Sequence, residues 1–145
     1  PIPSPVDLAR LILIVTGAHL NAELAHRPLA YSLQRAMLAR LGRRGTAIVC
    51  SDVWYMNNDQ LRGCPTISIG GPALNALSAF LADKLPSAYV VDGRILIQAD
   101  PEFEDPIACC WGADDPSTAA AVDTFKDRYL DAFLIAATRS WLASN

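Results

Sequence analysis

The segment from Thr66 to Leu77 offers the clearest place for chemistry in this chain. An apolar run, Thr66–Ile69, meets two glycines and a proline, and a helical pattern then begins. Glycines allow a tight passage into a helix, Pro72 suits the first helical position, and unpaired amides at a helix start attract anions. We therefore predict a ligand-binding turn at Gly70 and Gly71. A plain strand-to-helix turn is the alternative, since both residue types are common at such junctions.

Polar residues after the predicted strands form a shortlist for the same site. Asn75 could reach back over the glycines towards a ligand, Asp52 could orient a hydroxyl, and His19 could be a base partnered by Asp52. Each also has an ordinary explanation, as an exposed polar residue, a turn former or a loop histidine. The predicted catalytic candidates are Asp52 and His19. The predicted ligand-binding residues are Gly17, Asn21, Asp52, Gly70, Gly71, Asn75, Asp114 and Thr118, with Thr16, Ser51, Gly112 and Asp115 on the same rim.

Several well-defined reaction classes lack their motifs in this sequence. The chain contains no G-x-G-x-x-G, no G-x-x-x-x-G-K-[ST] and no G-x-S-x-G. Nicotinamide binding, P-loop chemistry and a serine nucleophile elbow therefore have no direct support. The four cysteines do not form the C-x-x-C pairs that are typical of zinc sites. We predict no metal site, and the cofactor, if there is one, is unknown.

The cysteines also bear on location. Cys50, Cys109 and Cys110 lie in apolar strand-like runs, where cysteine is usually a small buried hydrophobe. Cys64 lies in a loop, and we expect it to be the most exposed of the four. This usage fits a reducing compartment, so we expect a cytoplasmic protein.

Composition limits the size of the domain and the class of partner. The chain has 145 residues, of which 52% are apolar, enough for one domain over 1–145 with its own core. A formal net charge of −3 gives no electrostatic footprint for nucleic acid. The longest strongly apolar run, Leu11–Val15, is far shorter than the roughly 20 residues that span a bilayer, and no export leader precedes it. We expect a soluble protein with neither nucleic-acid nor membrane partners.

The elements that position the shortlist follow from apolar periodicity. Continuous apolar runs predict strands at 11–15, 46–50, 66–69 and 107–111, and Asp92-Gly93 predicts a hairpin turn between two more. Helical spacing predicts a helix from Pro28 to Leu41, one after Pro72, and a long terminal helix after an N-cap at Asp115. This order predicts a three-layer α/β/α sandwich, Rossmann-like or flavodoxin-like, with a mostly parallel sheet and one antiparallel hairpin. Ligands bind such sheets at the carboxyl ends of the strands, where the shortlist falls.

Two separated segments resemble a known family. The run Gly70-Gly71-Pro72-Ala73-Leu74-Asn75, followed by Gly112-Ala113-Asp114 and Thr118, looks like the "GGP-x-x-N … G-x-D … T-x-x-A" pattern of Rossmann-like domains in archaeal surface-layer and some cell-wall-binding proteins. The resemblance implies a fold and a rim geometry more than an activity. Under it, Gly70, Gly71, Asn75 and Thr118 occupy the matching positions.

Two functions remain open at this point. In the first, the chain is a binding or interaction module whose glycine rim holds a small anionic ligand or a protein partner; the scarcity of catalytic residue types favours it. In the second, it is a small enzyme acting on a nucleotide-like or phosphorylated substrate. The aromatic residues Trp54, Tyr55, Met56 and Trp141, if contiguous on the surface, would also indicate a homodimer.

Overall fold

A six-stranded sheet forms the centre of the molecule in the computed structural model, which describes residues 7–143. The strands follow the order β2-β1-β3-β6-β5-β4, and among the described residues only β5 runs opposite to the other five strands. The predicted α/β class and mostly parallel sheet are confirmed. The strands are β1 (Leu11–Thr16), β2 (Thr46–Ser51), β3 (Thr66–Ile69), β4 (Ser87–Val91), β5 (Ile95–Ala99) and β6 (Ile107–Gly112).

Helices cover both faces of the sheet. Because successive side chains of a strand point to opposite faces, β1 supplies both cores: Ile12 and Ile14 belong to one cluster, and Leu13 and Val15 belong to the other. The first cluster includes side chains of α1, α4 and α5, and the second includes side chains of α2 and α3. The helices are α1 (Arg27–Leu41), α2 (Asp52–Met56), α3 (Ala76–Leu81), α4 (Asp115–Arg128) and α5 (Leu130–Ala143), with a π-helical turn, Ala22–His26, directly before α1.

The hairpin between β4 and β5 is the predicted one. Asp92 and Gly93 have φ angles of 49° and 68°, the left-handed conformation that Asp-Gly tolerates at a tight turn. At the opposite edge of the sheet, the side chain of Gln34 donates a 2.8 Å hydrogen bond from Nε2 to the carbonyl oxygen of Ala47 on β2. Gln34 therefore satisfies one backbone hydrogen-bond acceptor of this edge strand.

Three predicted helix boundaries are wrong. Pro72 lies in a turn, and α3 begins only after Asn75, which is its N-cap. Asp114, not Asp115, is the N-cap of α4. The predicted terminal helix is two helices, separated at Tyr129, whose ψ of −17° departs from the helical value. No glycine or proline marks that break, and the apolar spacing continues across it, so the sequence pattern predicts a single helix.

Two segments for which the apolar spacing predicts no helix are nevertheless helical. Residues 22–26 form the π-helical turn, and residues 52–56 form α2. Cys64, predicted to be exposed, is buried, as are the other three free cysteines. The expected aromatic patch does not form, because Tyr55 and Trp141 are buried while Trp54 is exposed.

No helix within residues 7–143 has both the length and the apolar character required to traverse a lipid bilayer.

Candidate functional site

The strand order reverses between β1 and β3. From β1 the chain passes to β2 on one side, and from β2 it crosses back to β3 on the other side. Open α/β sheets bind ligands in the crevice at such a reversal, outside the carboxyl ends of the strands. Thr16 and Gly17 end β1 there, and Ile69 and Gly70 end β3, with Thr16 and Ile69 paired in register. The topology thus brings the first and third predicted segments together.

The glycines of this edge are required by close packing within the protein itself. A Cβ on Gly17 would overlap the carbonyl oxygen of Leu74, so the loop after β1 lies directly against the turn after β3. A Cβ on Gly70 would come within 2.9 Å of His26 Nδ1, and Gly70 has a φ of 109° that side chains rarely adopt. A Cβ on Gly71 would lie 3.2 Å from the Trp111 ring. Whether these glycines also contact a ligand stays a prediction.

Asn75 connects the two strand ends to α3. Its Nδ2 donates to the carbonyl oxygens of Val15 (3.1 Å) and Ile69 (2.8 Å), while its Oδ1 accepts from the amides of Leu77 and Ser78. All four hydrogen-bonding positions of the amide are therefore used, and the residue is only 1% exposed. Asn75 is a structural tie at the candidate site.

Asp52 has a similar role on the other side of the turn. Its Oδ1 accepts from its neighbour's amide, Val53 (2.7 Å), and its Oδ2 accepts from the Ala76 amide (2.8 Å). Since Asp52 and Asn75 together accept from the amides of the first turn of α3, that turn has no amide left for an anion at these positions. The first amides of α3 are therefore already bonded within the protein, and anion binding at the Gly70-Gly71 turn stays a prediction.

His26 lies at the centre of the edge, although the sequence analysis did not select it. The side chain is buried, its Nε2 is 3.3 Å from Asp115 Oδ1, and its Nδ1 has no hydrogen-bond partner. The π-helical turn Ala22–His26 precedes it, a form of helix that is rare and is often found at functional sites. A histidine with a carboxylate on one nitrogen and no partner on the other can accept a proton or a hydrogen bond from a bound molecule.

Thr16 provides a second unpartnered group at the same edge. Its residue is fully buried, and its Oγ1 has no hydrogen-bond partner. By strand alternation it points to the face of Ile12 and Ile14, which is the face that α1 covers. Thr16 and His26 therefore lie on the same side of the sheet, at the carboxyl end of β1.

The predicted residues after β6 stabilise the start of α4. Asp114 Oδ1 accepts from the Ser117 amide (2.8 Å), and hydrogen bonds from Ser117, the side-chain interaction first, lower the pKa of Asp114. The Thr118 hydroxyl accepts from the amide of Gly112 and donates to the carbonyl oxygen of Asp114, both at 3.0 Å. These contacts give Asp114 and Thr118 structural roles that do not require a ligand.

The structure shows no hydrogen bond or ion pair between His19 and Asp52, the two predicted catalytic candidates. His19 is exposed in the loop after β1, whereas the carboxylate of Asp52 is bonded to two amides. The buried histidine of this edge is His26, which faces Asp115. Its spacing in the sequence could have indicated this, because His26, Ala30, Leu33 and Met37 follow one buried helical stripe.

Asn21 contacts the His26–Asp115 pair from the solvent side. Its Nδ2 lies 3.4 Å from Asp115 Oδ1, the oxygen that also faces His26. The predicted residue Asn21 is thus next to the candidate site, as is Asp115, which is half exposed.

An open groove of about 640 Å³ lies beside this edge, along the end of β2. Arg27 is a fixed cation on one wall: its Nε donates to the Tyr31 hydroxyl (3.1 Å), and its Nη1 is 3.5 Å from Glu23 Oε1. The hydrogen bond to Tyr31 raises the pKa of Arg27. Trp54, which is exposed, lines the other wall. Burial raises the pKa of Cys50, at the groove floor, to about 11, so its thiol is not a nucleophile at neutral pH.

Comparison with known proteins finds no family model that matches this chain and no matching curated protein. The resemblance to surface-layer domains therefore stays a prediction. Within residues 7–143, no group of three or more histidine, cysteine or acidic side chains is placed to hold a metal ion.

Proposed function

We propose that this protein binds a small polar ligand at the carboxyl edge of its sheet, between β1 and β3, through Thr16 and His26. One observation carries the proposal. Among residues 7–143, Thr16 Oγ1 and His26 Nδ1 are the only buried side-chain polar atoms without a hydrogen-bond partner. Leaving such an atom unsatisfied costs about 1–3 kcal/mol, so two of them at the edge where α/β sheets bind ligands call for a molecule that completes them.

The hydrogen-bonding chemistry of the two residues limits the ligand. With the ring proton on Nε2, the atom that faces Asp115 Oδ1 at 3.3 Å, His26 Nδ1 is an acceptor. The ligand therefore presents a donor, such as a hydroxyl or an amide, to His26. The Thr16 hydroxyl can donate or accept. These requirements favour a hydroxyl-rich or amide-bearing small molecule, such as a nucleoside or a sugar.

In this proposal the anionic group predicted for the ligand pairs with Arg27. With the amides of α3 occupied, the guanidinium in the β2 groove is the nearest cation along the chain to His26, although Glu23 offsets part of its charge. The ligand reaches Thr16 and His26 when the loop after β1 and the turn after β3 separate. Gly17 begins the loop after β1 and Gly70 begins the turn after β3, and the backbone freedom of glycine allows the two segments to move apart.

The proposal is tested by replacing the unpartnered hydroxyl alone. Thr16→Val keeps the side-chain shape, and thermal shifts are measured across nucleosides, nucleoside monophosphates, sugars and inorganic phosphate. We expect at least one of these probes to stabilise the wild type and to lose its effect in Thr16→Val. The free protein should be as stable as wild type or more so, because the variant removes a buried group with no partner.

Thr66→Val is the matched control. Thr66 is also a buried threonine of this sheet, but its Oγ1 donates a 2.8 Å bond to the Cys64 carbonyl oxygen. It should lose about 1 kcal/mol of stability and keep ligand binding. A Thr16→Val protein that is clearly less stable than wild type, with no shift for any probe in wild type, would contradict the proposal and indicate a water-filled structural site.

A small enzyme remains the second candidate, because the His26–Asp115 pair has the arrangement of a histidine oriented by a carboxylate. In this reading His26 Nδ1 takes a proton from a bound nucleotide-like or phosphorylated substrate, and Asp115 positions the ring. Products of each stabilising probe are sought by mass spectrometry. Turnover that falls in Asp115→Asn while the thermal shift persists supports the enzyme. Binding without turnover supports the binding module.

We also propose a cytoplasmic location, since all four cysteines are free and buried. Its test is the thiol state of the protein isolated from its own cells under alkylating conditions: four reduced thiols support it, and a disulfide contradicts it.

A further inference from the structure

The outer face of the first helical segment is unusually apolar. Leu20 is 75% exposed, Leu24 is 71% exposed, and Tyr31 and Leu38 are 41% and 38% exposed. All four belong to the helical stretch that begins at residue 20 and ends with α1 at Leu41. They account for four of the ten large exposed apolar side chains of the described chain. Exposed apolar side chains concentrated on one element indicate a surface on which another molecule can pack.

These four side chains form one stripe. They are spaced by four, seven and seven residues, and residues at that spacing share a side of a helix. The opposite side faces the sheet, and its members are buried: Ala22, His26, Ala30, Leu33, Met37 and Leu41. At 1.5 Å per residue the stripe is about 27 Å long. We call it the outer stripe of α1.

Charge is distributed unequally along the outer stripe. Its beginning has a net negative charge, from Asp115 beside Asn21 and from Glu23, whose own charge is offset by Arg27 at 3.5 Å. Its end is basic although Arg40 is paired with Asp131 at 3.0 Å, because Arg35 on α1 and Arg43 and Arg44 after it add three further positive charges. Two copies aligned in parallel would place arginines against arginines. Two copies aligned antiparallel would place the acidic end of each against the basic end of the other.

We propose that two copies of this chain pair through the outer stripe of α1, antiparallel and related by a two-fold axis. Leu20 of each copy then meets Leu38 of the other, and the Tyr31 side chains lie towards the middle. The interface has one apolar line flanked by opposite charges at both ends, the pattern of a self-complementary two-fold contact. This surface is separate from His26, on the sheet side of the same helical stretch, and from Thr16 on β1, so the pairing does not depend on the proposed ligand.

The first test measures the mass in solution. Sedimentation velocity of the wild-type chain from about 1 to 200 µM should show a dimer that dissociates on dilution. Leu24→Arg places in the stripe a charge of the same sign as the arginines of the facing copy and should weaken the dimer at least about tenfold. Val90→Arg is the matched control, since Val90 is 55% exposed on β4 at the far edge of the sheet. It should leave the dimer unchanged. Circular dichroism verifies that both variants fold.

The second test measures the orientation of the pair. The native thiols are buried, so a surface cysteine is the only readily oxidised one. Leu20→Cys and Leu38→Cys proteins, which differ in mass through a tag, are mixed and oxidised. Disulfides between the two different variants support the antiparallel pair, whereas Leu20→Cys linked to itself contradicts it. A monomer at 200 µM, or equal weakening by Leu24→Arg and Val90→Arg, overturns the proposal.

Discussion

Removing the side chain of Asn75 should be among the most damaging single changes to this fold. Asn75→Ala deletes two bonds to the carbonyl oxygens of Val15 and Ile69 and uncaps the amides of Leu77 and Ser78. Losing an asparagine N-cap costs about 1 kcal/mol, and each buried bond to a carbonyl contributes about 1 kcal/mol. We therefore expect a loss of about 3 kcal/mol in the free energy of unfolding.

Urea denaturation followed by circular dichroism measures this loss. With a slope of about 2 kcal/mol/M, the midpoint should fall by about 1.5 M. Ser51→Ala is the control for a cap alone, because the Ser51 hydroxyl accepts from the Trp54 amide (3.2 Å) and makes no bond to a strand end. It should lose about 1 kcal/mol. If Asn75→Ala costs no more than Ser51→Ala, the two strand-end bonds do not stabilise the fold and the reasoning is refuted.

Two further predictions concern packing and ionisation. Gly17→Ala should destabilise the protein by more than about 2 kcal/mol in the same assay, because its Cβ would overlap the Leu74 carbonyl, whereas Gly63→Ala, with no atom within 4 Å of the new Cβ, should be neutral; equal effects would show that the loop yields freely. Burial raises the pKa of Cys50 and Cys109 to about 11, so between about pH 9 and pH 11 the unfolded thiols ionise while the native ones stay protonated. The free energy of unfolding should therefore fall as pH rises through this window, and Cys109→Ala should flatten the fall; an unchanged slope would contradict the assignment.

Apolar periodicity predicted most of the architecture. The strand positions, the fold class and the Asp92-Gly93 hairpin all depend on interactions between residues close in sequence, or on burial that leaves a periodic trace. The terminal helix shows the limit of this reasoning. Its apolar stripe continues through Tyr129, where the chain leaves helical geometry without a residue that signals a break.

The candidate site was predicted less well, for a physical reason. Glycines and a proline indicated the edge where β1 and β3 end, but not which groups already have partners there. Asn75 and Asp52 are occupied by contacts that form only when β1, β3 and α3 meet, such as the bond from Ala76 to Asp52 across 24 residues. His26 was overlooked because a helix was predicted to start at Pro28, whereas the π-helical turn extends it backwards.

Gln34 has a consequence for the behaviour of this protein at high concentration. An unpaired strand at the border of a sheet is a template on which foreign chains can assemble into fibrils, and natural proteins protect such borders. By holding the Ala47 carbonyl, the Gln34 amide shortens the stretch of β2 on which an incoming strand could nucleate. α1 thus shields part of the β2 edge from pairing with a foreign strand through Gln34, while the outer stripe on another side of the same helix stays exposed.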